Sequence, residues 1–198
     1  MPGETVEPAR VEELRSILNA SDWLLAVLGH VAAVDPPQWW VGAGAIRDVA
    51  WDARFGRGVD RPEVKDVDVA FFDAEDLSAA RDRAVEAQLR ERAAGIAWDA
   101  KNQAAVHRWY GQRFRLEVAP LGSVPDAVAT WPEYATCVAV RLSPVGGLEI
   151  CAPHGLDDLL DGVWRRNPTR VSLEEYRRRL ARKQPAVRWP GVRVVGDP

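Results

Sequence analysis

The most informative segment of this sequence is the apolar run Lys65-Asp66-Val67-Asp68-Val69-Ala70-Phe71-Phe72. Its alternation and its content of valine and phenylalanine predict a β-strand over 64–72. Successive side chains of a strand point to opposite faces. Val67 and Val69 are therefore expected in a core, and Asp66 and Asp68 are expected side by side on the other face.

Two adjacent carboxylates on one face of a strand repel each other unless a cation or hydrogen-bond donors lie between them. Their oxygen atoms are suited to Mg²⁺, which usually shares its coordination sphere with phosphate groups. The alternative is that Asp66 and Asp68 only solvate an edge strand. Aspartate is disfavoured in strands, and here two of them flank a valine. The pattern therefore favours a metal site.

A third carboxylate is expected from a neighbouring strand. A strand predicted over 95–101 places Asp99 and Lys101 on one face and its apolar residues on the other. Glu117, in a strand predicted over 113–118, is the rival third acid. A surface salt bridge of Asp99 with Lys101 or Arg90 is the alternative to a role in metal binding.

A strand, a glycine turn and a helix precede the aspartates. An apolar run over 38–41 leads into the sequence Gly42-Ala43-Gly44-Ala45-Ile46-Arg47-Asp48, and the helix is predicted to continue to residue 54. Backbone N–H groups at such a turn can face an anion. A dinucleotide-binding fingerprint would need glycine at position 47, where this chain has arginine. The turn alone is also compatible with a tight turn that binds nothing.

The remaining pattern predicts an α+β fold with a small mixed β-sheet flanked by helices. We expect one domain over 1–198, with a core at 37–125, N-terminal helices within 9–35 and a C-terminal extension at 126–198. Residues 1–8 are predicted to be a loose tail and 55–63 a loop. The other predicted elements are helices at 9–18, 23–34, 77–93, 126–134, 156–160 and 173–183, and strands at 137–142 and 148–152.

Composition narrows the function classes. The net charge of −3 argues against a general nucleic-acid coat protein, although the helix at 173–183 is locally basic. Two cysteines without a CxxC pair and three histidines are too few for a recognisable structural zinc site. No apolar run approaches the roughly 20 residues of a membrane span. We therefore expect a cytoplasmic protein with no membrane partner.

Together the motifs resemble the nucleotidyltransferase superfamily, which includes DNA polymerase β and the tRNA CCA-adding enzymes. The similarity is greatest to a bacterial family of small nucleotidyltransferase-like proteins and extends from residue 39 to about residue 168. Its motifs are the glycine turn, Asp66-Val67-Asp68-Val69, Trp98-Asp99-Ala100-Lys101-Asn102-Gln103 with His107, Trp131-Pro132-Glu133, and Gly155-Leu156-Asp157-Asp158-Leu159.

The resemblance implies Mg²⁺-dependent transfer of a nucleoside monophosphate from a nucleoside triphosphate to a hydroxyl group. Asp66, Asp68 and Asp99 would be the catalytic carboxylates and would bind the metal. Nucleotide-binding residues would be Gly42, Gly44, Ala45, Arg47 and Lys101. The turn would hold phosphates, and Arg47 and Lys101 would neutralise their charge. For Arg47 an ion pair with Asp48 or Asp52 is the alternative.

The acceptor stays open among a small molecule, RNA and protein. Where the superfamily commonly has Gly-Ser or Gly-Gly in the turn, this chain has Gly44-Ala45, which lacks the hydroxyl but keeps the backbone N–H groups. Two other functions are compatible with the paired aspartates. One is a metal-dependent glycosyltransferase, which generally needs a longer chain. The other is a catalytically silent nucleotide- or RNA-binding module.

Overall fold

The structure is a computed structural model that describes residues 7–56 and 64–196. Its α-helices are α1 (Pro8–Asn19), α2 (Asp22–Val34), α3 (Gly44–Arg54), α4 (Ala79–Arg92), α5 (Val106–Phe114), α6 (Val124–Val128), α7 (Asp157–Leu160), α8 (Leu173–Lys183) and α9 (Pro185–Arg188). Its strands are β1 (Trp40–Gly42), β2 (Val67–Phe71), β3 (Trp98–Asn102), β4 (Ala139–Leu142), β5 (Leu148–Cys151), β6 (Val163–Trp164) and β7 (Arg193–Val194). Most of the predicted tail and loop lies outside the described residues.

The main sheet is mixed and five-stranded, in the order β3-β2-β1-β4-β5. β2 and β3 are parallel and are joined by the crossover helix α4, whereas the other neighbours are antiparallel. This architecture confirms the predicted α+β fold. β4 and β5, which were predicted as strands and follow the expected core boundary at residue 125, pair antiparallel and complete the sheet.

The alternation of each strand divides the apolar side chains between two clusters. Val67 and Val69 of β2 are 1% exposed and belong to the larger cluster, which α1, α2, α3 and α4 cover. Ala70 and Trp40 belong to a smaller cluster on the opposite face, together with Val124 and Val128 of α6. The smaller cluster covers only part of that face, and the carboxylates of β2 and β3 occupy the rest.

Helix ends follow the expected chemistry. Ser21 accepts a hydrogen bond from the backbone N–H of Leu24 at the start of α2, at 3.3 Å. Ser172 does the same for Glu175 in α8, at 3.1 Å, and α8 spans the predicted 173–183. Among the described residues no single helix is long and apolar enough to cross a membrane; α1 and α2, bent by 91°, meet that test together on length and composition alone.

One predicted element is wrong. Residues 113–118 were expected as a strand, but α5 extends to Phe114 and Arg115 then adopts the left-handed conformation with φ of 55°. The aromatic and apolar residues before this point have helical spacing, and they pack along one side of α5 instead of entering the sheet. The predicted helix at 126–134 is also displaced, because α6 ends at Val128 and a separate 3₁₀ turn spans Tyr134–Thr136.

Candidate active site

Three residues lie side by side across the first three strands of the sheet. Gly42 on β1 is the register partner of Asp68 on β2, and Asp68 is the register partner of Asp99 on β3. Register partners in a sheet point to the same face. Asp66 precedes Asp68 by two residues and lies on the same side. We call Asp66, Asp68 and Asp99 the acidic edge.

The acidic edge holds more negative charge than its surroundings balance. The pKa of the Asp68 carboxyl is raised to about 7, first because the group is buried and then because the charges of Asp66 and Asp99 are close. The positive charges of Lys183 and Arg179 act in the opposite direction but do not cancel this increase. A cation bound between the carboxylates would remove the repulsion.

The chemistry of the donors fits a magnesium ion that is shared with a phosphate. Within 7–56 and 64–196, no group of three or more His, Cys, Asp or Glu side chains is arranged to hold a metal ion. Asp99 instead lies 2.6 Å from the ammonium group of Lys101, which also donates to Glu86 at 2.8 Å. Magnesium is often bound by one or two carboxylates plus substrate phosphates. Asp66 and Asp68 meet that requirement without Asp99.

Glu117, the rival third acid, lies away from this edge. It is exposed in the irregular segment after α5 and does not line the cleft that contains Asp66, Asp68 and Asp99. Its Cγ is near the position that a Cβ on Gly111 would take, at 3.7 Å. The structure therefore brings Asp99, and not Glu117, beside the paired aspartates.

The two glycines of the turn have different roles. A Cβ on Gly42 would lie 2.5 Å from the ring of Trp131 and 2.9 Å from the carbonyl oxygen of Val138. Gly42 is thus needed for the indole of Trp131 to lie on the sheet beside Asp68. Gly44 begins α3 and lines the cleft. Its N–H group is among the helix N-terminal donors that have no partner within the helix.

The residue between these glycines has a strained backbone. Ala43 has φ of 54° and ψ of −120°, a conformation that favours glycine, and its N–H donates to Val138 at 3.1 Å. Ala45 follows in the first turn of α3 with its methyl group buried in the core, so that only its backbone can face the cleft. The strained turn directs the start of α3 towards the acidic edge.

Arg47, a candidate phosphate ligand, is engaged within the protein. It is 2% exposed, and its guanidinium group donates to Asp48 at 2.9 and 2.5 Å. The same group lies 5.7, 5.2 and 5.5 Å from the ring centroids of Trp51, Trp164 and Trp189. We call Arg47 and these three residues the tryptophan cage. This is the ion pair with Asp48 that the sequence left as the alternative, although Arg47 also borders the cleft.

A cleft of about 340 Å³ joins the acidic edge, the glycine turn and parts of the C-terminal half of the chain. Such a volume is typical of small-molecule sites. Its aromatic wall consists of Trp109, Tyr110, Phe114 and Trp131. Its cations, beyond Arg47 and Lys101, are Arg170, Arg179, Arg182 and Lys183. The cleft thus combines carboxylates, backbone donors, flat apolar surfaces and positive charge.

The predicted site residues included no cation from α8, although the sequence marked the helix at 173–183 as locally basic. Arg179 makes a two-pronged ion pair with the fully buried Glu133, at 2.7 and 3.0 Å, and thereby holds α8 against the cleft. Lys183 follows one turn later and is half-buried in the cleft. Tyr176, 3% exposed, is seven residues before Lys183. This helical spacing from a buried tyrosine is the signal that would have placed Lys183 on the inner face.

Comparison with known proteins identifies the family of the chain. A family model described as nucleotidyltransferase matches residues 29–194. The chain belongs to this nucleotidyltransferase family. The resemblance seen in its motifs is therefore confirmed, and the enzyme class of the chain is nucleotidyltransferase. Comparison with curated proteins gives no match.

Solved structures resemble this nucleotidyltransferase over most of its length. One, described as an NMR structure that reveals a CCA-adding enzyme head domain, has a TM-score of 0.78 and 26% identity, with 94% of this chain and 96% of that chain covered. The Thermotoga maritima CCA-adding enzyme complexed with tRNA has a TM-score of 0.52 and 15% identity, covering 98% of this chain and 41% of that one. A CCA-adding enzyme with ATP gives 0.51 and 15%, covering 96% and 41%. The nucleotidyltransferase thus spans about two fifths of these two enzymes, which support its fold.

Proposed function

We propose that this nucleotidyltransferase transfers a nucleoside monophosphate from a nucleoside triphosphate to an acceptor hydroxyl, with Mg²⁺ as cofactor. The observation that carries the proposal is the alignment of Gly42, Asp68 and Asp99 across three strands. This alignment brings the carboxylates next to the backbone donors at the start of α3. Carboxylates for a metal and amides for phosphate are the two components that nucleotidyl transfer needs.

Asp66 and Asp68 would hold the magnesium ion together with an oxygen of the α-phosphate. When bound, the ion would withdraw electron density from the phosphate and neutralise charge on it. The backbone N–H of Gly44 would donate to the phosphate chain, and the aromatic wall at Trp109 and Tyr110 offers a flat surface for the base. These assignments use groups that line one cleft.

The reaction forms one bond and breaks one bond at the α-phosphorus. The acceptor oxygen bonds to phosphorus while the bond from phosphorus to the oxygen that bridges to the β-phosphate breaks. Pyrophosphate leaves with that electron pair. Asp99, on the outer side of Asp68 in the sheet, would orient the acceptor hydroxyl and take its proton. For this Asp99 must release Lys101, whose ammonium group then keeps Glu86 as its partner.

The acceptor would be a small molecule, an RNA or a protein. The structures with tRNA and with ATP belong to CCA-adding enzymes, and they suggest that nucleotide and RNA are the partner classes to test first. The uncharged aromatic wall and the four cations from the C-terminal half are compatible with a nucleotide donor. Localisation in the cytoplasm, where nucleoside triphosphates are abundant, completes the proposal.

The test is calorimetric titration of the protein with the Mg²⁺ complexes of ATP, GTP, CTP and UTP. The wild type should bind at least one of them, and the affinity should fall at least tenfold when Mg²⁺ is replaced by EDTA. Asp66→Asn/Asp68→Asn should lose the metal-dependent part of the affinity. Glu91→Gln, an exposed carboxylate of α4, serves as the control for a lost negative charge and should bind as the wild type does.

Binding that the double variant retains would contradict the role of Asp66 and Asp68. Binding of nucleotide by the wild type without release of pyrophosphate, in the presence of RNA, peptide and small-molecule acceptor pools, would favour the silent binding module. A preference for UDP-sugars over all four triphosphates would favour the glycosyltransferase instead.

A further inference from the structure

Lys183 has an unusual position among the cations of the cleft. It is the last residue of α8, is half-buried, and lines the cleft together with Gly44, Asp66 and Asp68. Lys101, the other lysine of the cleft, is held by Asp99 and Glu86. Lys183 makes no ion pair with any residue in the part of the chain that the structure describes. Its ammonium group is therefore available to a ligand.

The surroundings of Lys183 locate it near the glycine turn. The charges of Arg47, Asp48, Asp66 and Arg179 act on Lys183, and the charge of Lys183 acts in turn on Asp68. Arg47 lies directly behind the turn, because a Cβ on Gly44 would be 3.7 Å from its Nη2. Lys183 thus lies close to the start of α3 and to Asp66 and Asp68, with which it lines the cleft.

The environment also disfavours a bare ammonium group. Burial lowers the pKa of Lys183, and the positive charge of Arg47 lowers it further, against the opposing effect of Asp48 and Asp66. A partly buried cation beside a second cation is stabilised by an anion. Since the unpaired N–H groups of the first turn of α3 lie nearby, a phosphate could be contacted from both directions.

Contacts on both sides of Lys183 fix its position. Before it, Arg179 is paired with the buried Glu133. After it, α9 ends at Arg188, which is 2.9 Å from Asp48, and the indole N–H of Trp189 donates to Asp52 at 2.6 Å. These contacts attach both flanks of Lys183 to the sheet region and to α3. Such preorganisation lowers the cost of ordering a flexible lysine around a ligand.

We propose that Lys183 binds the β- and γ-phosphate oxygens of the triphosphate and remains bound to the pyrophosphate that leaves. This inference rests on the proposed function and identifies a binding residue of the C-terminal extension for it. In the transfer step, the electron pair of the broken bond between the α-phosphorus and the bridging oxygen passes to pyrophosphate. The ammonium group of Lys183 balances part of the charge that develops there.

The test compares the affinities of Lys183→Gln and Lys183→Arg with the wild type for three probes. The probes are the Mg²⁺ complex of the preferred triphosphate, Mg²⁺-pyrophosphate, and the corresponding monophosphate. Lys183→Gln should bind the first two about tenfold or more weakly, the usual scale for a lost charge-assisted hydrogen bond, and the monophosphate as the wild type does. Lys183→Arg should recover part of the loss. Arg177→Gln, exposed on the same helix, is the control and should bind all three normally.

Thermal unfolding would first establish that each variant is folded. Three results would then overturn the inference. Unchanged triphosphate and pyrophosphate affinities in Lys183→Gln would exclude Lys183 as a ligand while leaving the proposed function intact. An equal loss for all three probes would make Lys183 a structural residue. Absence of binding by the wild type to any probe would overturn both proposals. Wild-type binding of pyrophosphate alone, lost in Lys183→Gln, would support the phosphate site but contradict the nucleotide donor.

Discussion

The tryptophan cage and the acidic edge are neighbouring regions whose charged side chains have opposite surroundings. In the cage, the guanidinium group of Arg47 is buried, yet it is paired with Asp48 and surrounded by three indoles. Asp48 also makes an ion pair with Arg188. At the acidic edge, three carboxylates lie close together, and the pKa of Asp68 is raised first by burial and then by the like charges of Asp66 and Asp99.

The difference separates structural from functional charge. A buried charge whose partners are all present contributes to the folded state, and its removal leaves other groups unpaired. Charges of one sign that are held together without a partner cost stability, and such costs are concentrated at sites that bind ligands. We therefore infer that the tryptophan cage stabilises the fold next to the site, whereas the acidic edge belongs to the site itself.

Arg47→Met should have the largest effect on stability. The change leaves Asp48 without its closest partner and opens space between three indoles, so we expect a loss of about 3 kcal/mol in the free energy of unfolding. Urea denaturation at 25 °C measures this loss. Arg178→Met, which removes the ion pairs of an exposed arginine with Glu174 and Glu175 on α8, is the control and should cost at most about 0.5 kcal/mol.

Nucleotide binding by the same variant tests whether Arg47 is a structural residue or a phosphate ligand. Under conditions where Arg47→Met remains folded, it should bind Mg²⁺-nucleotide with nearly the affinity of the wild type. The reason is that in the wild type the guanidinium group of Arg47 is already paired with Asp48. A small loss of stability together with a large loss of affinity would reverse the assignment. Arg47 would then be a phosphate ligand, as the resemblance to nucleotidyltransferases implied.

Asp68→Asn should have a smaller effect of the opposite sign. In EDTA at pH 8 the variant should be more stable than the wild type by about 2 kcal/mol, because it removes a charge that is buried and is also repelled by Asp66 and Asp99. It should nevertheless lose metal-dependent nucleotide binding. Glu91→Gln, which removes an isolated exposed charge, should change stability by less than about 0.5 kcal/mol.

The pH dependence of the stability tests independently whether ionised Asp68 destabilises the folded protein. The folded-state pKa of Asp68 is raised to about 7 from an ordinary value of 3.8. Between these values the folded protein keeps a proton that the unfolded chain has lost, so wild-type stability should fall as the pH rises from about 4 to about 7. Asp68→Asn should lack this contribution. Identical pH profiles for the two proteins would contradict the account of the acidic edge.

Local pattern was sufficient for much of the fold. The alternation around Val67 and Val69 predicted β2 and its two faces, and helices were predicted where the structure has α1, α2 and α8. The strand expected at 113–118 failed although its residues alternate, because Phe114 continues the helical spacing of Trp109 and Tyr110 on α5 and lines the cleft with them. The strand order, with β2 between β1 and β3, was not contained in any local pattern.

The site was predictable where its residues are close in sequence. Asp66 and Asp68 could be paired by strand geometry, and Asp99 by its place on the next strand; their catalytic role stays a prediction. The sequence offered Asp48 as a partner of Arg47, but two indoles of the tryptophan cage could not be found in this way, because Trp164 and Trp189 are more than 100 residues away. Lys183 was missed for the same reason, since only tertiary packing brings the end of α8 beside the glycine turn.

The measurement that tests the central claim most directly is a crystal structure with Mn²⁺ and a non-hydrolysable analogue of the preferred triphosphate. Anomalous scattering would locate the metal without reference to the protein atoms. The account predicts a manganese peak between the carboxylates of Asp66 and Asp68, shared with an α-phosphate oxygen, and phosphates that extend past Gly44 towards Lys183. A nucleotide bound elsewhere, or a metal that contacts neither aspartate, would contradict it.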